Sequence, residues 1–206
     1  MNQGCGLRFP VLERDTRGAH CPRCGSQTDP AGDVYEEHKA PRLIPGPGTG
    51  TLSMEVLLDN IRSIYNVGSI FRTSDGAGIS CLHLCGITPT PDNPRLRKTA
   101  LGADEVIDWT YCADGFAAAA KLKAQGKRLW ALEGGERAEP IHQDSLETDC
   151  RPIVLVVGNE VCGVDPGILD LCEKIFAIPM QGVKTSLNTA VAFGIAVYTL
   201  RFRSLA

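Results

Sequence analysis

The stretch IPMQGVKTSLNTAVAFGIAVY, residues 178–198, joins an apolar run that stops at Pro179 to a second apolar run through a loop of small and polar residues. Gly182, Ser186 and Asn188 crowd between two hydrophobic elements, where simple packing would have little use for them. The second run has helical spacing and Ser186 is placed to cap it, so a closing helix is predicted from about residue 186. A glycine-containing loop after a strand leaves backbone groups exposed, and in parallel α/β sheets ligands collect at the carboxyl ends of strands.

Working outward from this stretch, short apolar segments alternate with helical ones. SMEVLLDNIRSIYNVGSIFRTSDGAG (53–78) reads as two short helices around a loop, with Asn66 and Arg72 at a helix start ahead of the first strand. Strands are predicted at ISCLHLCGI (79–87), DEVIDWTY (104–111), RLWALE (128–133), PIVLVVGNE (152–160) and KIFAIPM (174–180). Helices are predicted at DGFAAAAKLKAQG (114–126) and PGILDLCE (166–173). The alternation predicts a Rossmann-like α/β domain with a mostly parallel sheet. No Gly-x-Gly-x-x-Gly turn joins a first strand to a helix, which argues against a dinucleotide-dependent dehydrogenase.

The chain has 206 residues, 43% of them hydrophobic and 22% charged, enough for one sizeable core and a small appendage. No apolar run approaches the ~20 residues of a membrane span and the N-terminus does not resemble a signal peptide, so no membrane partner is expected and the cytoplasm is the expected location. The net charge of −3 leaves any binding of an anion to local basic patches. Of nine cysteines, Cys81, Cys85, Cys112, Cys150, Cys162 and Cys172 lie in apolar context and read as reduced core residues.

The remaining three fall within the first 25 residues. CPRCG, with Cys21 and Cys24, has the spacing and trailing glycine of a zinc knuckle, and Cys5-Gly6 resembles half of another. The spacing would put a fourth cysteine at position 2, which is Asn2; His20 is a candidate in its place, although it adjoins Cys21. Intact zinc site and degenerate ribbon are both open on the sequence. Residues 26–51 are rich in Pro and Gly, so the expected organisation is a zinc-ribbon-like segment over 1–40, a linker over 41–51 and the main domain over 52–206.

Three stretches of the main domain carry candidate chemistry: NVGSIFR (66–72), VVGNEVCGV (156–164) and IPMQGVKTSLNTAVA (178–192), with ALEGGE (131–136) as a further glycine-rich loop. Taken singly, Gly158 and Gly163 turn a chain, Glu160 is a solvated carboxylate and Ser186 is a helix cap. Together and in this order they closely resemble the motifs of the SpoU (TrmH-like) RNA 2′-O-methyltransferases of the SPOUT superfamily, over roughly residues 52–203. Val161, Cys162 and Thr189 are small departures from that pattern.

The resemblance implies a C-terminal trefoil knot, which periodicity alone would never suggest. It implies that S-adenosyl-L-methionine is bound by Leu132, Glu133, Gly134, Gly158, Ile178, Met180 and Leu187, largely through backbone groups with apolar walls. It implies a catalytic set of Arg72, Asn66, Glu160, Ser186 and Asn188, and a homodimer; the closing helix is apolar enough to form part of the subunit interface, and a helix face in the monomer core would read the same. The expected activity is methyl transfer to a ribose 2′-hydroxyl of tRNA or rRNA; the alternative is a non-catalytic RNA-binding protein that keeps the same pocket. Arg95, Arg97 and Lys98 in NPRLRKTALG (93–102), expected in a loop, are candidate phosphate contacts. Arg8, Arg14, Arg17 and Arg23 make the N-terminal segment a second candidate RNA surface.

Overall fold

Residues 54–59 form a strand, where sequence reading predicts a helix. The computed structural model describes residues 5–11, 16–31, 53–143 and 151–202. In it β1 (Met54–Asp59) runs into α1 (Ile64–Ala77), so Asn66 and Arg72 both lie inside a helix that follows the first strand. The run Val56-Leu57-Leu58 is fully buried, being sandwiched on both faces, and a short apolar run of that kind has no period to distinguish strand from helix. Ser63 caps α1 by accepting from the Asn66 amide, and Gly78 ends it in the left-handed region at φ 69°.

The other elements are β2 (Cys81–Cys85), α2 (Pro94–Ala100), β3 (Asp108–Cys112), α3 (Gly115–Ala124), β4 (Arg128–Leu132), the two-residue β5 (Glu139–Pro140), β6 (Ile153–Val157), α4 (Pro166–Leu171), β7 (Lys174–Ala177) and α5 (Thr189–Phe202). The helix α2 and the strand β5 have no counterpart among the predicted elements. The closing helix begins at Thr189 and is capped by Asn188, whose side-chain oxygen accepts from the Ala190 and Val191 amides at 2.9 and 3.3 Å. The cap expected from Ser186 is therefore two residues out, because the Asn188 side chain satisfies the first-turn donors.

All strand pairs are parallel and the seven strands lie in the order β3-β2-β1-β6-β4-β7-β5. One apolar cluster joins α1, α2 and α5 to one face of the sheet, through residues such as Phe71, Leu96 and Phe193; the other joins α3 and α4 to the opposite face through Ala119, Leu122 and Ile168. The order reverses between β1 and β6. That is the crevice where open α/β sheets bind ligands.

The chain divides into two compact units, Met1–Gly46 and Pro47–Ala206. The linker expected over 41–51, Arg14 and Cys150 lie outside the described residues. The described cysteines are unoxidised; burial pushes the Cys85 and Cys172 thiols up to about 12, as expected of inert core residues. Cys162 departs from that expectation and is exposed on the turn after β6.

Candidate active site

Motifs far apart in sequence meet because β1, β6, β4 and β7 are neighbours in the sheet. Their carboxyl ends carry the loops at 60–63, 158–165, 133–138 and 178–188. Gly158 leaves β6 where the chain doubles back on itself: a Cβ there would stand 2.2 Å from the Gly163 carbonyl carbon and the Val164 nitrogen. Asn159 and Gly163 exchange backbone hydrogen bonds of 2.9 Å, and the Asn159 side-chain oxygen accepts from the Val161 and Cys162 amides. Its Nδ2 donates to the Asn60 carbonyl at 2.6 Å, fastening the loop after β6 to the loop after β1. Asn159 is not among the residues singled out from sequence; an Asn after a strand-ending glycine is an Asx-turn signal, but nothing local points to its role across the crevice.

Glu160 closes the same junction. Its carboxylate accepts from the Arg62 amide at 2.9 Å, the Ser63 amide at 3.0 Å and Asn66 Nδ2 at 3.0 Å. Partial burial acts to raise its pKa, but the donated hydrogen bonds from Arg62, Ser63 and Asn66 outweigh it and hold the group below its ordinary value of 4.5. Asn66 Oδ1 in turn accepts from Asn188 Nδ2 at 3.0 Å. Three of the expected catalytic residues, Glu160, Asn66 and Asn188, are thus one hydrogen-bonded chain linking the crevice to the first turn of α5.

Glu133 does the corresponding work between β4 and β6, accepting from the Val164 amide at 2.8 Å and the Gly134 amide at 3.0 Å. Leu132 and Ile178 are half-buried against the core. Met180 and Leu187 are each 37% exposed, and residues 179–187 make no backbone hydrogen bond among the described residues. Half-buried apolar side chains beside unpaired backbone donors and acceptors suit a ligand with an apolar heterocycle and polar edges. Ser186 is exposed in this loop and is hydrogen-bonded to none of the other candidate residues.

Arg72 stands apart from that chain. It is exposed on α1, roughly 9 Å along the helix axis from Asn66, and makes no hydrogen bond or ion pair among the described residues. Arg95, Arg97 and Lys98 lie on the helix α2, not in a loop: Asn93 caps it and Pro94 occupies its first turn, a start signal that the sequence reading missed. All three basic residues are exposed, and Arg97 is held in place by its Nε, which donates to the Pro91 carbonyl at 2.8 Å. A cleft of about 860 Å³ lies beside α2 at the carboxyl ends of β2 and β3, lined by Ile87, Thr90, Trp109 and Tyr111 among others.

Sheet order, crevice and loop junctions together define a parallel α/β protein whose motif loops converge at the reversal of its strand order. The chain belongs to the SpoU rRNA Methylase family, whose model matches residues 53–198. It is 28% identical over 203 residues to the 23S rRNA (guanosine-2′-O-)-methyltransferase RlmB of Pseudomonas aeruginosa, covering 95% of this chain and 78% of that protein. It is also 28% identical over 167 residues to the protein of the same name from Vibrio parahaemolyticus, covering 81% of this chain and 61% of that one. The chain therefore spans about three fifths of the length of some curated relatives. Among solved structures, the AdoMet-bound rRNA methyltransferase of Sinorhizobium meliloti matches with a TM-score of 0.68 and 25% identity, over 76% of this chain and 58% of that chain.

Proposed function

We propose that this chain transfers a methyl group from S-adenosylmethionine to a ribose 2′-hydroxyl of a structured RNA, tRNA or rRNA. The observation that carries the reading is the convergence of the loops after β1, β6, β4 and β7 around the Glu160–Asn66–Asn188 chain. Leu132, Ile178, Met180 and Leu187 supply apolar walls for the cofactor, while the backbone of Glu133, Gly134, Gly158 and the 179–187 segment supplies its polar contacts. The bound cofactor supplies an electrophilic methyl carbon on a sulfonium.

The residues of this chain then have to hold the hydroxyl in line with that carbon and favour loss of its proton to solvent as the O–C bond forms and the S–C bond breaks. Arg72 is assigned to the ribose and its neighbouring phosphate. A guanidinium stays protonated in proteins, so its role is to stabilise the developing alkoxide and grip phosphate, and not to act as a base. Asn66, Glu160 and Asn188 position the loops, with Ser186 exposed beside them for a contact with RNA or cofactor. Arg95 and Lys98 on α2 hold phosphates, with Arg97 at their side, and the arginines of the N-terminal unit add a second RNA contact.

In this reading two copies of the chain pair through α5. That helix buries Phe193, Ala196, Val197 and Leu200 in its own core but leaves Val191, Ile195 and Tyr198 between 41% and 53% exposed at helical spacing. An exposed Arg72 with no partner among the described residues fits a site completed by the second copy. After β7 the chain returns to pack α5 on α1, a path in keeping with the family's trefoil knot. Among the described residues no helix is long and apolar enough to cross a membrane, and cytoplasmic RNA is the proposed substrate pool. The N-terminal unit is read as carrying zinc on Cys5, Cys21 and Cys24.

Calorimetric titration with S-adenosylmethionine, followed by transfer of a labelled methyl group to total tRNA and rRNA, tests the proposal. Cofactor binding with label retained as a 2′-O-methyl nucleoside is expected. Cofactor binding without transfer to any RNA would leave the non-catalytic reading in its place.

A further inference from the structure

The described residues of the N-terminal unit have almost no apolar core among them. Among its described residues only Cys21 is buried, and Leu7 is 41% exposed. Units of roughly 40 residues need disulfides, a metal or a partner to fold. What converges in this one is sulfur. The Sγ atoms of Cys5, Cys21 and Cys24 all lie within 4.8 Å of one another, with Cys5 and Cys21 at 3.8 Å.

That spacing discriminates between two chemistries. A disulfide requires about 2.05 Å between sulfurs. A tetrahedral zinc ion with Zn–S bonds of about 2.3 Å places its thiolates about 3.8 Å apart along each edge. The backbone is arranged to the same end. The Cys21 amide donates to the Ser26 carbonyl and the Gly25 amide to the Cys21 carbonyl, both at 2.8 Å, folding CPRCG into a tight turn. Gly25 and Gly6 each follow a cysteine and adopt φ of 71° and 55°, left-handed values that glycine alone takes without strain, so two Cys-Gly turns of like conformation face one point. His20 is exposed and lies outside the group of converging donors.

We infer that Cys5, Cys21 and Cys24 bind one zinc ion as a three-thiolate centre whose fourth position is held by an exchangeable, non-thiolate ligand; in sequence, knuckle spacing calls for a fourth cysteine at position 2, where the chain has Asn2. Such an ion staples the N-terminal unit, and it is more open to chelators than a closed four-thiolate site. The inference is independent of the methyl-transfer reading.

The test titrates the full-length, reduced, metal-free chain with cobalt(II) as a spectroscopic stand-in and then with zinc. One equivalent of cobalt with tetrahedral bands and thiolate charge-transfer absorbance, displaced by zinc, is expected. Cys5→Ser, Cys21→Ser and Cys24→Ser should each weaken zinc binding by about tenfold or more, while Cys162→Ser, an exposed cysteine of the other unit, leaves it unchanged. Asn2→Cys should tighten binding by about tenfold and raise the charge-transfer intensity. Failure of the unmodified chain to bind stoichiometric tetrahedral cobalt, or an equal loss on Cys162→Ser, overturns the site. An Asn2→Cys chain indistinguishable from the unmodified one overturns the open fourth position.

Discussion

Asn188 Nδ2 donates to Asn66 Oδ1 at 3.0 Å across 122 residues of sequence. The direction of this bond follows from its neighbours. Glu160 offers only acceptors when ionised, so Asn66 must turn its NH2 toward Glu160 and its oxygen toward Asn188. Asn188 must then present its NH2 to Asn66, which leaves its own oxygen for the Ala190 and Val191 amides at the start of α5. One carboxylate on the loop after β6 thereby sets the orientation of two amides and the cap of the last helix.

Asn188→Ala should lower stability by ~1 kcal/mol through loss of the cap. Asn188→Asp keeps an acceptor for the α5 amides but removes the donor to Asn66, so most of the stability should return while cofactor affinity does not. Urea denaturation alongside calorimetric titration separates the two. Equal cofactor affinity in Asn188→Asp and the unmodified chain would show that the Asn66 link does not order the loop.

Glu160 has a depressed pKa, and the sign of its effect on stability follows from that. Its contribution is complete above the unfolded value, about 4.5, and is lost as pH falls through the lower folded value. The stability difference between the unmodified chain and Glu160→Gln should therefore be constant from neutral pH down to about pH 5 and shrink in more acid solution. Denaturation curves at a series of pH values would reveal it; a gap that instead widens in acid has the wrong sign for this account.

Gly158→Ala would force a methyl group to within 2.2 Å of the Gly163–Val164 backbone. Backbone has to move, at a cost of ~1–3 kcal/mol typical of overpacking, and the displaced turn carries Asn159 and Glu160. A drop in both the denaturation midpoint and the cofactor affinity is expected. An unperturbed variant would mean that the turn is looser than its contacts imply.

Arg72→Ala should abolish methyl transfer while leaving cofactor affinity within about tenfold, ~1.4 kcal/mol, because Arg72 is assigned to ribose and phosphate. Its exposure and lack of partners within the described residues mean that stability should hardly change. Cofactor titration, single-turnover transfer and melting on the same preparation check all three; parallel loss of binding and transfer would move Arg72 into the cofactor pocket.

Leu187→Asp should weaken cofactor binding, since a carboxylate would be set against an apolar wall. At 37% exposure Leu187 is not a core residue, so the folded state should tolerate the change. Unchanged affinity in a folded variant would place the adenine elsewhere.

Much of the candidate site is legible in the sequence, because its residues sit in local signatures: glycines where turns must be tight, Gly-Asn-Glu after a buried strand, and Asn188 ahead of an apolar helix. The partnerships were not legible. Glu160 and Asn66 are 94 residues apart, and nothing local in either stretch says that a carboxylate will find that amide. The reading of β1 as a helix has the same origin: a strand buried on both faces shows no period of its own, and only pairing with β2 and β6 makes it a strand.

By itself, the sequence determined the class of fold, the family resemblance and the inventory of chemical groups, since alternating short elements, turn glycines and motif residues are properties of nearby positions. Tertiary structure decided which of those groups act together. It moved the α5 cap from Ser186 to Asn188, put Arg95 and Lys98 on a helix and left Arg72 outside the Glu160–Asn66–Asn188 chain. The physical reason is that hydrogen bonds are satisfied over a few ångströms of space. Strand order, which inserts β6 between β1 and β4, sets those distances without regard to separation along the chain.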